Sequence, residues 1–212
     1  MAARLSHTDA RGQLRMVDVG AKPETARQAV ASAAVKMAPS TLALVMGDGV
    51  DVIAVPSPKG DVLATARLAA IAALKRTAEL IPLCHPVRVV GTDVALDGDA
   101  GLPGVRIRVT VRAFDRTGVE MEAMVGAAAA ALTIYDMVKG VERGVEITAV
   151  RLEEKSGGRS GTWHRHGEHG GPGENPGRET EGSSRASNSN RRPRAAKGQS
   201  KVHVKAAKAQ RG

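Results

Sequence analysis

The chain of 212 residues reads as an α+β protein, with helices packed on one face of a mostly antiparallel sheet. Three observations predict this. Residues 87–96 and 104–114 alternate branched apolar with polar side chains, and the turn sequence GDAGLPG lies between them. Residues 61–80 and 120–141 carry apolar side chains at helical spacing. Helical and extended segments alternate along the chain around a central hairpin.

Each element follows from its own residues. Residues 25–37 are ambiguous: the alanines suggest a helix, while Val30, Ala33 and Val35 fit either period. Residues 40–46 fit a short helix. Residues 48–59 read as a mobile loop with two prolines. In 61–80, Leu63, Arg67, Ala70, Ile71, Leu74 and Ala78 recur at helical spacing, Asp61 caps the start and Pro82 ends the run. The helix at 120–141 runs through GAAAAALTIYDMVKG, with Gly140 or Gly144 as its stop. Residues 145–153 alternate again and make a third strand.

Aromatic residues are nearly absent, since Phe114, Tyr135 and Trp163 are the full set. The core must come from Ala, Val, Leu, Ile and Met, and so small a core gains from an oligomeric interface. The single cysteine, Cys84, excludes an intrachain disulfide and any multi-cysteine metal site. It fits a reduced, cytoplasmic setting. No run of about 18 apolar residues suggests a membrane span, and the opening MAARLSHTDARG has no apolar signal region.

The net charge of +9 is concentrated at the end. Residues 165–212 hold a net +7, and the other 164 residues only +2. The expected division is a folded domain at 1–164 and a disordered, basic Gly/Ser/Arg/Lys-rich tail at 165–212. Such a tail touches nucleic acid, if at all, through phosphates without sequence preference; a solvated tail is the plainer reading. His164, His166 and His169 do not make a convincing metal site in a glycine-rich segment, and no metal is assigned.

Five short stretches carry candidate chemistry. In KGD (59–61), Lys59 and Gly60 stand at the mouth of a helix, where free N–H groups favour an anion; a loop lysine is more often merely solvated. In IPLCHP (81–86), two prolines flank Cys84 and His85, which makes a rigid support for a functional histidine or for a buried, satisfied one. Glu120 and Glu122 flank Met121 at a helix start, where acids suit the helix dipole and paired carboxylates can also bind an N–H edge or move protons. Asp136 and Lys139 share a helix face with Leu132, Ala129 and Val125, so the pair extends an apolar stripe and is expected to be partly desolvated, as acid–base work requires. In EKSGGRSG (154–161), Lys155 precedes a loop whose N–H groups can wrap an anion, or which simply leads into the tail. Together they fit a small polyanionic substrate undergoing phosphate and proton chemistry.

At these same segments the chain resembles the cyclic pyranopterin monophosphate synthases, the second enzymes of molybdenum-cofactor biosynthesis. The resemblance rests on MVDVGAKPETAR (16–27), KGDVLATARLAAIAALKRTAELIPLCHPV (59–87), TGVEMEAMVGAAAAALTIYDMVKG (117–140) and VRLEEKSGGRSG (150–161). It implies a ferredoxin-like α+β fold with residues 25–37 as a strand. It also implies a homohexamer, a trimer of dimers, with sites at the dimer interface. The implied reaction converts the cyclised dihydro-GTP made by a radical enzyme to cyclic pyranopterin monophosphate and diphosphate. That is phosphorus–oxygen lyase chemistry with no cofactor, although magnesium could accompany the triphosphate.

Residue by residue, Asp136 and Lys139 match the family's catalytic helix pair, and Lys59, His85 and Lys155 its other essential basic groups. Leu83, Cys84 and His85, with Met121 and Glu122, match the substrate-binding segments, and Glu120 a further acid. Lys22 and Arg27 are expected to reach a partner subunit's site. The loop before Lys59 is longer than the family leads one to expect, and the tail has no counterpart there. The competing class is a non-enzymatic α+β module that presents a basic tail to nucleic acid.

Overall fold

The computed structural model describes residues 7–9, 11–47 and 61–165. Strand β1 (Thr25–Lys36) leads to helix α1 (Pro39–Met46), then α2 (Val62–Leu74) and the short α3 (Thr77–Leu80). The hairpin β2 (Val89–Asp99) and β3 (Gly104–Asp115) follows, then α4 (Glu120–Val138), β4 (Glu146–Ser156) and β5 (Trp163–His164). The sheet order is β2-β3-β1-β4-β5, with every neighbouring pair antiparallel. Without β5 this is the split βαβ arrangement of the ferredoxin-like fold, in which β3 separates β1 from β2.

Residues 25–37 are a strand because the middle of this sheet needs small side chains on both faces. Ala29, Ala31, Ala33 and Val35 point to the helical layer, and Val30 and Ala34 are buried on the other side. β1 pairs without a slip along β3, from Thr25↔Asp115 to Lys36↔Gly104. Above it, α4 presents Ala123, Ala127, Ala130 and Ala131. Small residues meeting small residues let helix and sheet approach closely, which compensates for the missing aromatics. The larger contributions come from Leu74, Ile107 and Ile134, all fully buried, at about 1.5–3 kcal/mol each.

Gly126 is the contact point of α2 and α4: a Cβ there would stand 3.2 Å from Val109 Cγ1 and 3.5 Å from the Ala70 carbonyl oxygen. Replacing it with a large residue would force the helices apart. Moving forward from Ala70 to Cys84, the chain tracks back along α4 from Gly126 to Glu122, so the two helices run antiparallel.

The expected helix at 61–80 is two helices. Asp61 does cap the first, accepting from the Ala64 N–H at 2.9 Å. Thr77 is buried and its hydroxyl donates to the Leu74 carbonyl at 2.9 Å, which breaks the run at Lys75–Arg76 and redirects the chain toward Pro82. The helix expected at 120–141 stops at Val138. By length and a mean hydropathy of 1.3, α4 is apolar enough to cross a membrane, although the sequence reading finds no such run. Its buried face lies on the sheet and includes Glu122, so it is the core helix of this layer. The expected loop at 48–59, the anion site at Lys59 and Gly60, and the tail beyond Arg165 lie outside the described residues.

Candidate functional site

The first turn of α4 is built around an inward carboxylate. Glu122 is 3% exposed. Its Oε1 lies 3.9 Å from Cys84 Sγ, and Oε2 has no hydrogen-bond partner among the described residues. Burial pushes its pKa up to about 7, helped by the neighbouring Glu120 charge and opposed by a backbone N–H. The Cys84 thiol is raised too, first by burial and then by Glu122. Cys84 is held there by a turn, its N–H donating to the Ile81 carbonyl at 3.0 Å, and Leu83 and His85 are half-buried in the same loop. The turn between the two prolines therefore brings Cys84 to the start of α4.

Beside this turn opens a cavity of about 420 Å³. Among the described residues, Lys22, Arg27, Arg116, Lys155 and Arg159 line it, against the single carboxylate of Glu120. Five cations facing one anion favour a polyanionic ligand. The cations arrive from three places and are braced by backbone. Arg27, on β1, donates to the carbonyls of Asp115 and Arg116, each at 3.2 Å. Arg116 donates to the Gly20 carbonyl at 2.9 Å. Lys155 Nζ donates to the Gly161 carbonyl at 2.8 Å and to the Ser160 hydroxyl.

The loop after β4 needs glycine. Gly157 and Gly158 have φ of 91° and 72°. A Cβ on Gly158 would run into the Arg27 guanidinium, and one on Gly157 into the Ala26 carbonyl. The EKSGGRSG stretch thus wraps closely around Arg27. Lys22 and Arg27, expected to reach a partner's site, line this cavity together with Lys155 of the same chain. Arg116 and Arg159 complete it and were missed by sequence reasoning. The signal was a cation inside each glycine-containing turn, DRTG and GGRSG, next to residues already singled out.

Asp136 and Lys139 do form an ion pair, at 2.5 Å. They are 56% and 52% exposed, so the expected desolvation is not found within one chain. The physical reason is the stripe they extend. Leu132 is 61% exposed, because the face of α4 that meets the sheet is the other one, through Ala127, Ala130, Ala131 and Ile134. The hydrogen bond from Lys139 to Asp136 raises the lysine pKa. Asp136 follows Glu120 by 16 residues of helix, or about 24 Å at 1.5 Å per residue. The singled-out residues therefore fall into two groups at opposite ends of α4. Among the described residues, no group of three or more His, Cys, Asp or Glu could hold a metal ion.

This geometry accompanies a sequence match. The model of the MoaC family matches residues 16–158. The chain belongs to the MoaC family. Among curated relatives, the cyclic pyranopterin monophosphate synthase of Brucella ovis is 52% identical over 163 residues, covering 77% of this chain and 94% of that protein. The same figures hold for that of Brucella melitensis biotype 2. The Brucella canis protein of the same name is 51% identical over the same length. The MoaC match ends within the glycine loop, at Gly158, while the bonded structure runs on through β5.

Proposed function

We infer that this MoaC-family chain is a cyclic pyranopterin monophosphate synthase of molybdenum-cofactor biosynthesis. It would convert the cyclised dihydro-GTP to cyclic pyranopterin monophosphate and release diphosphate, as a phosphorus–oxygen lyase. The observation that carries the reading is the five-cation cavity at the start of α4, next to the Leu83–Cys84–His85 loop and Glu122. A triphosphate suits the cavity's charge and a purine-derived ring suits the half-buried loop beside it. At about 4 Å, opposite unit charges gain roughly 4 kcal/mol at an effective dielectric near 20, against about 1 kcal/mol in water, so a closed site makes the clamp effective.

The proton work falls to Asp136 and Lys139 with His85. In the final step a ribose hydroxyl attacks the α-phosphorus. One P–O bond forms, the bond to the β-phosphate breaks, the hydroxyl proton passes to a protein base, and diphosphate leaves with the electron pair. Charge stabilisation at phosphorus is the largest contribution. Because about 24 Å of helix separates Asp136 from Glu120, the reading needs two chains per site. A second copy laid antiparallel on the exposed helical face, which carries Leu68 and Leu132, would bring its Asp136–Lys139 pair to this cavity and desolvate it. Such dimers would assemble as a homohexamer in the cytoplasm. Lys59 would add a further cation.

The deciding experiment offers purified protein the cyclised dihydro-GTP and follows diphosphate release. Turnover by the wild type, with loss in Asp136→Asn and Lys139→Ala proteins that still bind substrate, is expected. Near-wild-type rates in both variants would remove the dyad. Deleting residues 166–212 should leave turnover intact; the non-enzymatic reading predicts instead no turnover and a loss of nucleic-acid retention.

A further inference from the structure

Trp163, the one tryptophan in the chain, stands opposite Lys155 where β5 pairs with β4. The loop between them carries Arg159 and Ser160 into the cavity and holds three left-handed glycines, Gly157, Gly158 and Gly161. Glycines lose the most freedom on ordering, so this loop needs an external hold. A two-residue strand is a weak one. Arg165 supplies the rest. Its N–H donates to the Glu153 carbonyl at 2.8 Å and its Nε to the Leu152 carbonyl at 2.7 Å. Its guanidinium lies 3.6 Å from the Glu153 carboxylate and 5.8 Å from the Trp163 ring centre. Glu153 is the extra residue of a β-bulge, between the pairs Val30↔Glu154 and Ala31↔Leu152. It is fixed in turn by the Ser32 hydroxyl on β1 and by Arg151 at 2.8 Å. A continuous set of contacts thus runs from the central strand through Glu153 and Arg165 to Trp163, which closes the hairpin on Lys155. None of Ser32, Glu153, Trp163 or Arg165 lines the cavity.

We propose that β5 is a clamp on the phosphate-binding hairpin and that Arg165 is a positioning residue for polyphosphate binding, a role that rests on the cavity being a polyphosphate site. With the clamp in place the loop is ordered before the ligand arrives. Without it, the ordering is charged to binding and affinity falls while the chemical step is untouched. The test uses the full chain and inorganic diphosphate as probe, with affinity from calorimetry and β5 docking from the emission of Trp163. Arg165→Ala should weaken diphosphate binding about tenfold and shift Trp163 emission to the red. Arg165→Lys, which keeps a cation near Glu153 but loses the Nε–H bond to the Leu152 carbonyl, should fall between. With the cyclised dihydro-GTP, Arg165→Ala should raise KM about tenfold and leave kcat within about twofold, a split that general loss of fold would not produce. Wild-type affinity in Arg165→Ala despite a red-shifted Trp163 overturns the proposal. So does unchanged Trp163 emission, or a wild type that does not bind diphosphate at millimolar concentration. A wild type that binds diphosphate and is weakened by Arg165→Ala, yet turns over no cyclised GTP, upholds the clamp and sinks the enzymatic reading.

Discussion

Cys84 Sγ lies 3.9 Å from Glu122 Oε1, and the second oxygen of that carboxylate finds no hydrogen-bond partner among the described residues. A buried carboxylate so poorly supplied with donors is more stable protonated, which is why its pKa rises to about 7. A group with that pKa exchanges its proton near neutral pH, two residues along α4 from Glu120 of the cation cavity.

The stability consequence has a definite sign. In the unfolded chain Glu122 ionises near 4.5, and in the folded chain near 7. The folded state holds the proton more tightly, so this contribution is fully present below about pH 4.5 and is lost as pH rises through about 7. The loss amounts to up to ~3 kcal/mol. Glu122→Gln, which cannot ionise, should match wild type near pH 4.5 and exceed it by about 2–3 kcal/mol at pH 8. Denaturant titrations at fixed protein concentration across that range check it; a difference independent of pH would refute the assignment.

Cys84 should be a slow nucleophile. Burial first, and the Glu122 charge second, keep it a thiol at pH values where a free cysteine is partly thiolate. Iodoacetamide should modify it at least about tenfold more slowly in the folded protein than in the unfolded chain, read by intact mass. Glu122→Gln should speed the reaction by removing the repelling charge. Alkylation as fast as in the unfolded chain would contradict the half-buried placement beside Glu122.

Gly158→Ala tests the packing of the glycine loop on Arg27. The substitution strains a left-handed residue by about 1–2 kcal/mol and drives a methyl group into the guanidinium. Displacing Arg27 removes one of the cavity's cations, so KM should rise about tenfold or more with a smaller change in kcat. Gly144→Ala, where a Cβ meets nothing within the chain and the residue does not adjoin the Asp136–Lys139 pair, is the control and should change neither.

How much of this was legible depends on the residue. The hairpin of β2 and β3 was plain, because one face of each strand is polar and the alternation survives. β1 was not, since a central strand buried on both sides loses its polar phase, and its Ala residues carry a helical propensity that packing overrides. The break at Lys75–Arg76 left no mark, because it is made by the buried Thr77 hydroxyl rather than by glycine or proline. Of the charged groups around the cavity, Glu120 and Lys155 stood out from their local sequence, Lys22 and Arg27 came only with the family resemblance, and Arg116 and Arg159 were missed. The inward turn of Glu122 was not foreseen, because an acid in the first turn of a helix already has a sufficient electrostatic reason to be there. The exposure of Leu132 was hidden for a related reason: an Ala-rich helix has two apolar faces, and only the fold decides which of them meets the sheet.

That second apolar face leads to the sharpest prediction about assembly. If each site takes its cations from one chain and its Asp136–Lys139 pair from another, two differently damaged chains should repair one another. Asp136→Asn protein retains the cavity, and Lys155→Ala protein retains the pair. Each alone should lose at least about a hundredfold in turnover. Unfolded together and refolded as random mixtures, half of the resulting dimers are mixed. In each mixed dimer one site receives both lesions and the other receives neither. About a quarter of all sites should then be intact, and activity should recover to about that fraction of wild type. A site built within one chain would recover nothing, since every cavity would carry one lesion or the other. Absence of recovery in refolded oligomers of normal size would therefore show that the pair at the far end of α4 belongs to no shared site.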